Sequence, residues 1–184
     1  MGRKIVMLTP EQEEWIESLS DRTISIVPYD PRTEELFTKV KERIFSVLGT
    51  DVEIEHCGAS SFGISGQNEI DVSVVVEKEQ FEDYIPKLEK IFGPVRTIYS
   101  SRARFEVRED GKKIDLKLVD AKHSNYLEGK RFENYLRSHP KDLERYRIIK
   151  EECDGMTIKE YYRRKTEFIN EIVRKADDEE HTEE

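Results

Sequence analysis

The side chains best suited to chemistry lie in two neighbouring stretches. One is Asn68-Glu69-Ile70-Asp71-Val72-Ser73-Val74-Val75-Val76. Its period-two alternation predicts a strand with Glu69, Asp71 and Ser73 on one face and Ile70, Val72, Val74 and Val76 turned into a core. Two carboxylates about 4 Å apart repel by roughly 4 kcal/mol at an effective dielectric near 20. A hard cation such as Mg²⁺ or Mn²⁺ removes that penalty and suits oxygen ligands. The other stretch, just upstream, is Glu55-His56-Cys57-Gly58-Ala59-Ser60-Ser61. A glycine followed by small hydroxyl residues at a strand end can bring backbone N–H groups and hydroxyls against a phosphate. A phosphate cradle followed by paired carboxylates suits metal-assisted phosphoryl or nucleotidyl transfer. The bland alternative is an ordinary strand with an acidic outer face.

The elements that must position these groups follow from pattern. Thr9-Pro10-Glu11-Gln12 carries a capping box that opens a short helix. Thr23 to Val27 reads as a strand, and Thr33 to Leu48 as a helix stopped by Gly49. Asp51 to Cys57 is the strand that delivers the Gly58 turn. Gln80 to Phe92 is a helix, and Val95 to Ser100 a short strand. Asp110-Gly111 between two alternating runs, Arg102–Arg108 and Lys112–Val119, is a strong hairpin signal. Its second arm offers Asp115, either a third carboxylate beside Glu69 and Asp71 or a solvent-face residue. Arg102, Arg104 and Lys117 are either cations for a triphosphate or a solvated sheet edge. For Arg108, Lys112 and Lys113 the edge reading is preferred. From Ser124 onward three helical stretches follow, Tyr126–Arg137, Lys141–Glu152 and Thr157–Ala176, punctuated by Pro140 and Gly155.

The Gly58 turn, its spacer and Glu69-Ile70-Asp71 resemble the signature of the DNA polymerase β nucleotidyltransferase superfamily, with Ala59 standing where Ser is usual. A more specific resemblance runs along the chain. Val27-Pro28-Tyr29-Asp30-Pro31, Ile54 to Ser61, Phe132 to Pro140, Tyr146 to Lys150 and Tyr161 to Ile169 look, in that order, like the successive blocks of the GrpB family. The resemblance implies an α+β fold: a nucleotidyltransferase-like mixed β-sheet with helices on one face and a C-terminal helical segment. The capping box adds an N-terminal helical extension over 1–22, and the run of acids over 177–184 reads as a disordered tail. The resemblance itself covers an α/β core over 23–123 and helices over 124–176.

It also implies transfer of a nucleoside monophosphate from a Mg²⁺- (or Mn²⁺-) bound nucleoside triphosphate to an acceptor hydroxyl of a small molecule, protein or RNA. Glu69, Asp71 and Asp115 would be the catalytic and metal-binding carboxylates. Gly58, Ser60, Ser61, Arg102, Arg104 and Lys117 would bind the nucleotide. The family's Lys-Pro before the acidic strand is replaced here by Asn68-Glu69, so two registers remain: Glu69 with Asp71, or Asp71 with Ser73. In the second the metal site loses a carboxylate, and the same fold would serve as a degenerate nucleotide- or phosphate-binding module. His56 either binds phosphate or metal or is satisfied by backbone, and Cys57 has no identifiable base and packs.

Composition bounds the rest. The chain has 184 residues, 39% charged and 36% hydrophobic, with a net charge of −9. Six of those negative charges fall in 177–184, so the body is nearly balanced and gives no electrostatic case for DNA. Arg163-Arg164-Lys165 with neighbouring tyrosines suits helix packing better than stacking on RNA bases. Two distant cysteines fit neither a disulfide framework nor a zinc spacing. No run is apolar enough to cross a bilayer, and a cytoplasmic location without a membrane partner is the expectation.

Overall fold

The computed structural model describes residues 7–181 and resolves them into two compact units. One unit holds residues 28–64 and 68–129, the other the residues through Val27, 65–67 and those from Lys130 onward.

The first unit is built on a five-stranded mixed sheet in the order β1-β2-β5-β4-β3. The strands are β1 (Glu53–Cys57), β2 (Glu69–Val76), β3 (Thr97–Ile98), β4 (Arg102–Glu109) and β5 (Lys112–Asp120). β1 runs antiparallel to β2, β2 parallel to β5, and β5 antiparallel to β4. The Asp110-Gly111 turn takes positive φ at both positions (50° and 76°), the geometry whose twist suits a two-residue hairpin.

Helices α2 (Arg32–Leu48) and α4 (Phe81–Phe92) cover one sheet face. Ile70, Val72, Val74 and Val76 of β2 join Ile114, Leu116 and Leu118 of β5, Ala103 and Phe105 of β4, and Leu36, Val40, Ile44, Phe81, Leu88 and Phe92 of the helices in one core. Because side chains alternate along a strand, filling that face forces Glu69, Asp71 and Ser73 of β2 and Lys113, Asp115 and Lys117 of β5 together onto the opposite face. Helix α3 (Gly58–Ser61) is a single turn at the end of β1, and α5 (Ser124–Ser138) leads out of the unit.

The second unit packs α1 (Pro10–Glu17), α6 (Pro140–Glu152) and α7 (Ile158–Glu180) with the latter part of α5. Thr9 closes the expected capping box on Gln12, and Gln12 exchanges side-chain hydrogen bonds with Asn170 of α7. Ile24, Cys153, Ile158 and Tyr161 form a small core there.

Three expectations are corrected. Thr23 to Val27 is not a strand: its backbone is satisfied piecemeal, by isolated bridges to Thr157 and Gly66 and by the Asp154 side chain, so no ladder forms. The acidic tail is helical through Glu180, where Arg131 pairs with Asp177 and Glu180, and His139 with Glu179; residues 182–184 of that expected tail lie outside the described residues. Lys112 and Lys113 do not protect an edge, since β5 lies inside the sheet. Lys112 is buried, with its Nζ 2.9 Å from Asn68 Oδ1 and 3.1 Å from Asp30 Oδ2. Arg108 does remain exposed.

Candidate functional site

The polar face of the sheet is the place where side chains of catalytic type meet. Asp71 and Asp115 are register neighbours in the parallel β2–β5 pair, so their carboxylates stand side by side. Lys117, two residues beyond Asp115 on the same face, leans back over both. Its Nζ lies 2.7 Å from Asp71 Oδ1 and 3.5 Å from Asp115 Oδ2. Arg104, register neighbour of Lys117 on β4, grips Asp115 at two points: Nε donates to Oδ1 at 2.6 Å and an Nη to Oδ2 at 3.1 Å. Asp115 is almost wholly buried, so this fork is a charge-assisted pair drawn out of water. Burial works against the charged form of Lys117, but Asp71 and Asp115 outweigh it and hold its pKa above the usual lysine range.

The turn after β1 closes on the same carboxylate. Gly58 adopts φ +70°, and a Cβ at this position would stand 3.1 Å from Asp71 Cγ and closer still to Oδ2. Only glycine combines that backbone conformation with that approach. Ser60 Oγ lies 2.9 Å from His56 Nε2, while Phe37 stacks on the His56 ring at 4.7 Å and Glu34 lies 3.7 Å from Nδ1. Ser61 turns back, its hydroxyl donating to the Gly58 carbonyl at 2.8 Å.

The expected site residues therefore separate into groups. Asp71, Asp115, Arg104 and Lys117 form one network, with Gly58 lodged against Asp71. Glu69 shares their face but is ion-paired with its own register neighbour, Lys113. Arg102 lies over the Tyr99 ring, 5.0 Å from its centroid. Ser73 accepts a weak hydrogen bond from the Cys57 thiol at 3.5 Å. The carboxylate that meets Asp71 thus comes from neither register alternative on β2, but from Asp115 across the sheet.

His56, weighed from sequence as a phosphate or metal ligand or a backbone-satisfied residue, meets the Ser60 hydroxyl. Sequence reasoning left two contributors out. Tyr126 of α5 donates to Glu55 at 3.4 Å, and burial together with Glu55 pushes its hydroxyl pKa up. Asn68, at φ 56°, bridges the Gly111 carbonyl and Lys112. The signal for Asn68 was available: asparagine tolerates the left-handed region and binds local backbone.

The donor set can be tested against a divalent ion. Mg²⁺ or Mn²⁺ needs carboxylate oxygens turned toward it and a surplus of negative charge. Here Lys117 takes Asp71 Oδ1, Arg104 and Lys117 take both oxygens of Asp115, and Asp71 Oδ2 lies against Gly58. Two carboxylates face two cations of the chain itself. Among the described residues no group of three or more His, Cys, Asp or Glu is arranged to hold a metal. As arranged, these residues do not fit a divalent ion.

Comparison with known proteins agrees with the fold. Residues 23–175 match the family model described as GrpB protein. A UPF0157 protein of Halalkalibacterium halodurans is 29% identical over 188 residues, spanning 91% of this chain and 93% of its own. A UPF0157 protein of Vibrio cholerae is 26% identical, over 80% of this chain and 79% of its own. The crystal structure of conserved protein GrpB from Enterococcus faecalis superposes with a TM-score of 0.65 at 19% identity, covering 82% of this chain and 96% of that one. No helix among the described residues is long and apolar enough to cross a membrane.

Proposed function

The chain belongs to the GrpB family, and from that premise and the site's geometry we propose that it is a nucleotide- or phosphate-binding module of nucleotidyltransferase-like fold. One observation carries the choice of binding over transfer: Arg104 holds both oxygens of Asp115. In a transferase of this kind Asp115 would ligate the metal nearest the acceptor and draw off the acceptor's proton. A carboxylate forked by a guanidinium is stabilised as an anion and is a poor base. The Gly58 turn, the Ser60 hydroxyl and the cations of β4 and β5, which a phosphate would share with Asp71 and Asp115, are the groups it would use.

The second reading is transfer of a nucleoside monophosphate from a nucleoside triphosphate to an acceptor hydroxyl. It is favoured by the side-by-side register of Asp71 and Asp115, and it requires Lys117 and Arg104 to release them to Mg²⁺ or Mn²⁺.

Thermal melts with each of the four triphosphates and with pyrophosphate, in EDTA and in Mg²⁺, test the choice, because a ligand of the native state raises its melting temperature by mass action. Stabilisation that is equal in EDTA and in Mg²⁺, without label transfer from α-labelled triphosphates to a cell extract, is the expected result. Label transfer that disappears in Asp71→Asn would establish the second reading. No stabilisation by any of these ligands would refute the binding proposal.

A further inference from the structure

Lys117 stands where a metal would be expected. We infer that its ammonium is the built-in counter-cation of the Asp71–Asp115 pair, so that the free protein excludes divalent cations from this centre. The inference concerns the protein without nucleotide and goes beyond the reading above.

Three observations carry it. Nζ of Lys117 reaches both carboxylates, 2.7 Å from Asp71 and 3.5 Å from Asp115, as a bridging cation would. The bridge is dictated by sequence and register: Asp115 and Lys117 share a face of β5, and Asp71 is the register neighbour of Asp115 on β2. Arg104 supplies a second cation to Asp115, while also lying 3.6 Å from Glu106. A lysine ammonium is a compact point charge suited to such a position. A divalent ion entering here would have to shed hydration and also lie beside, or expel, that ammonium, while the net charge of the four groups is zero. Removing only the ammonium takes from Asp71 and Asp115 the cation that bridges them and leaves an oxygen-lined gap, the chemistry a hard cation takes.

The experiment titrates Mn²⁺ into nucleotide-free protein and follows the free-ion EPR signal for wild type, Lys117→Met, Lys117→Gln and the double variant Lys117→Met/Asp71→Asn. Circular dichroism confirms folding. Wild type is expected to leave the Mn²⁺ signal unchanged up to about 1 mM, the weak end of protein cation sites. The folded Lys117 variants are expected to bind it at least roughly tenfold more tightly, and the double variant to lose that gain. Mn²⁺ binding by wild type that Asp71→Asn abolishes would overturn the inference, whether or not the Lys117 variants fold. A folded Lys117 variant with no gain would overturn it too. Neither result bears on nucleotide binding, so a failure here is distinguishable from failure of the proposed function.

Discussion

Lys117 and Lys150 are both largely withdrawn from water, and they are compensated in opposite ways. Lys117, in the sheet unit, touches two carboxylates on neighbouring strands. Lys150, in the helical unit, is 4% exposed; its Nζ donates to the Tyr161 hydroxyl at 3.0 Å and lies 5.2 Å and 5.6 Å from the ring centroids of Tyr146 and Tyr161. Among the described residues no carboxylate pairs with it. The contrast separates two uses of a buried cation. On the sheet its charge cancels charges that alternation has forced together. In the helices an aliphatic stem fills a core position, and the head is accommodated by a hydroxyl and ring faces.

If the sheet face is the strained member of the pair, its tightest point should be the least tolerant. Gly58→Ala forces a side chain into the Asp71 carboxylate at φ +70°, adding left-handed strain to a clash. The expected loss is about 3 kcal/mol or more, read as a fall in the denaturant midpoint. A loss no larger than that of alanine at Gly155, also at positive φ (75°) but with nothing within 4 Å of its added Cβ, would mean that the Asp71 approach carries no weight.

Next comes the cation itself. Lys117→Met leaves Asp71 without its ammonium and should cost about 2 kcal/mol, below the range for a fully buried pair because about a quarter of the side chain is exposed. Asp71→Asn in the same background should recover part of that loss, because it removes the carboxylate that Lys117 had paired. Double-variant stability equal to the sum of the single losses would show that the two groups do not interact.

How much of this was legible beforehand differs between the units. The strand faces of β2 and β5 follow from period two, and Asp110-Gly111 announces its own turn. The place of Asp115 beside Asp71 rests on the parallel β2–β5 pairing, but the β4–β5 hairpin and the shared face of Glu69 and Asp71 could be read. Which cation sits on which carboxylate could not. Lys113 and Lys117 are the same letter: cross-strand register sets Lys113 beside Glu69, but it sets Lys117 beside Ser73, and only the backward lean of its side chain brings it to Asp71. The helical ending was misread for a related reason. A run of acids looks solvated in isolation, yet Arg131 on α5 and His139, between α5 and α6, meet it. Isolated bridges such as Thr23 to Thr157 leave no periodic trace at all.

The helical unit has a partly buried charge network of its own, centred on Asp142. Burial disfavours the ionised form of Asp142, but hydrogen bonds from Arg145 and Lys175 outweigh it and hold its carboxyl below the usual range. The hydrogen bond from Arg145 does the same for Glu171. A carboxyl depressed in the folded state binds protons more readily when unfolded. Its stabilisation is therefore present above the ordinary carboxylate pKa, about 4, and is lost as pH falls through the folded value. Asp142→Asn should cost about 1 kcal/mol at neutral pH, and the gap to wild type should narrow as pH falls below about 4. Melting curves at pH 7 and pH 3 decide; a gap that stays constant would assign the effect to packing.

The smallest change expected is at Lys150, and it is the most direct test of the comparison. Lys150→Met keeps an unbranched chain that can fill the same space between Tyr146 and Tyr161. It removes an ammonium whose desolvation no carboxylate offsets, which favours the variant, and it leaves the fully buried Tyr161 hydroxyl without its donor, which costs about 1 kcal/mol. These effects oppose each other, so the net change should stay within about 1 kcal/mol of wild type and fall short of the loss at Lys117. Adding Tyr161→Phe should separate them: if the stranded hydroxyl is the only cost, Lys150→Met/Tyr161→Phe is at least as stable as Lys150→Met alone. Should Lys150→Met instead destabilise the protein more than Lys117→Met, the tyrosine cage would be holding its charge as firmly as two carboxylates do, and the distinction between the two units would fail.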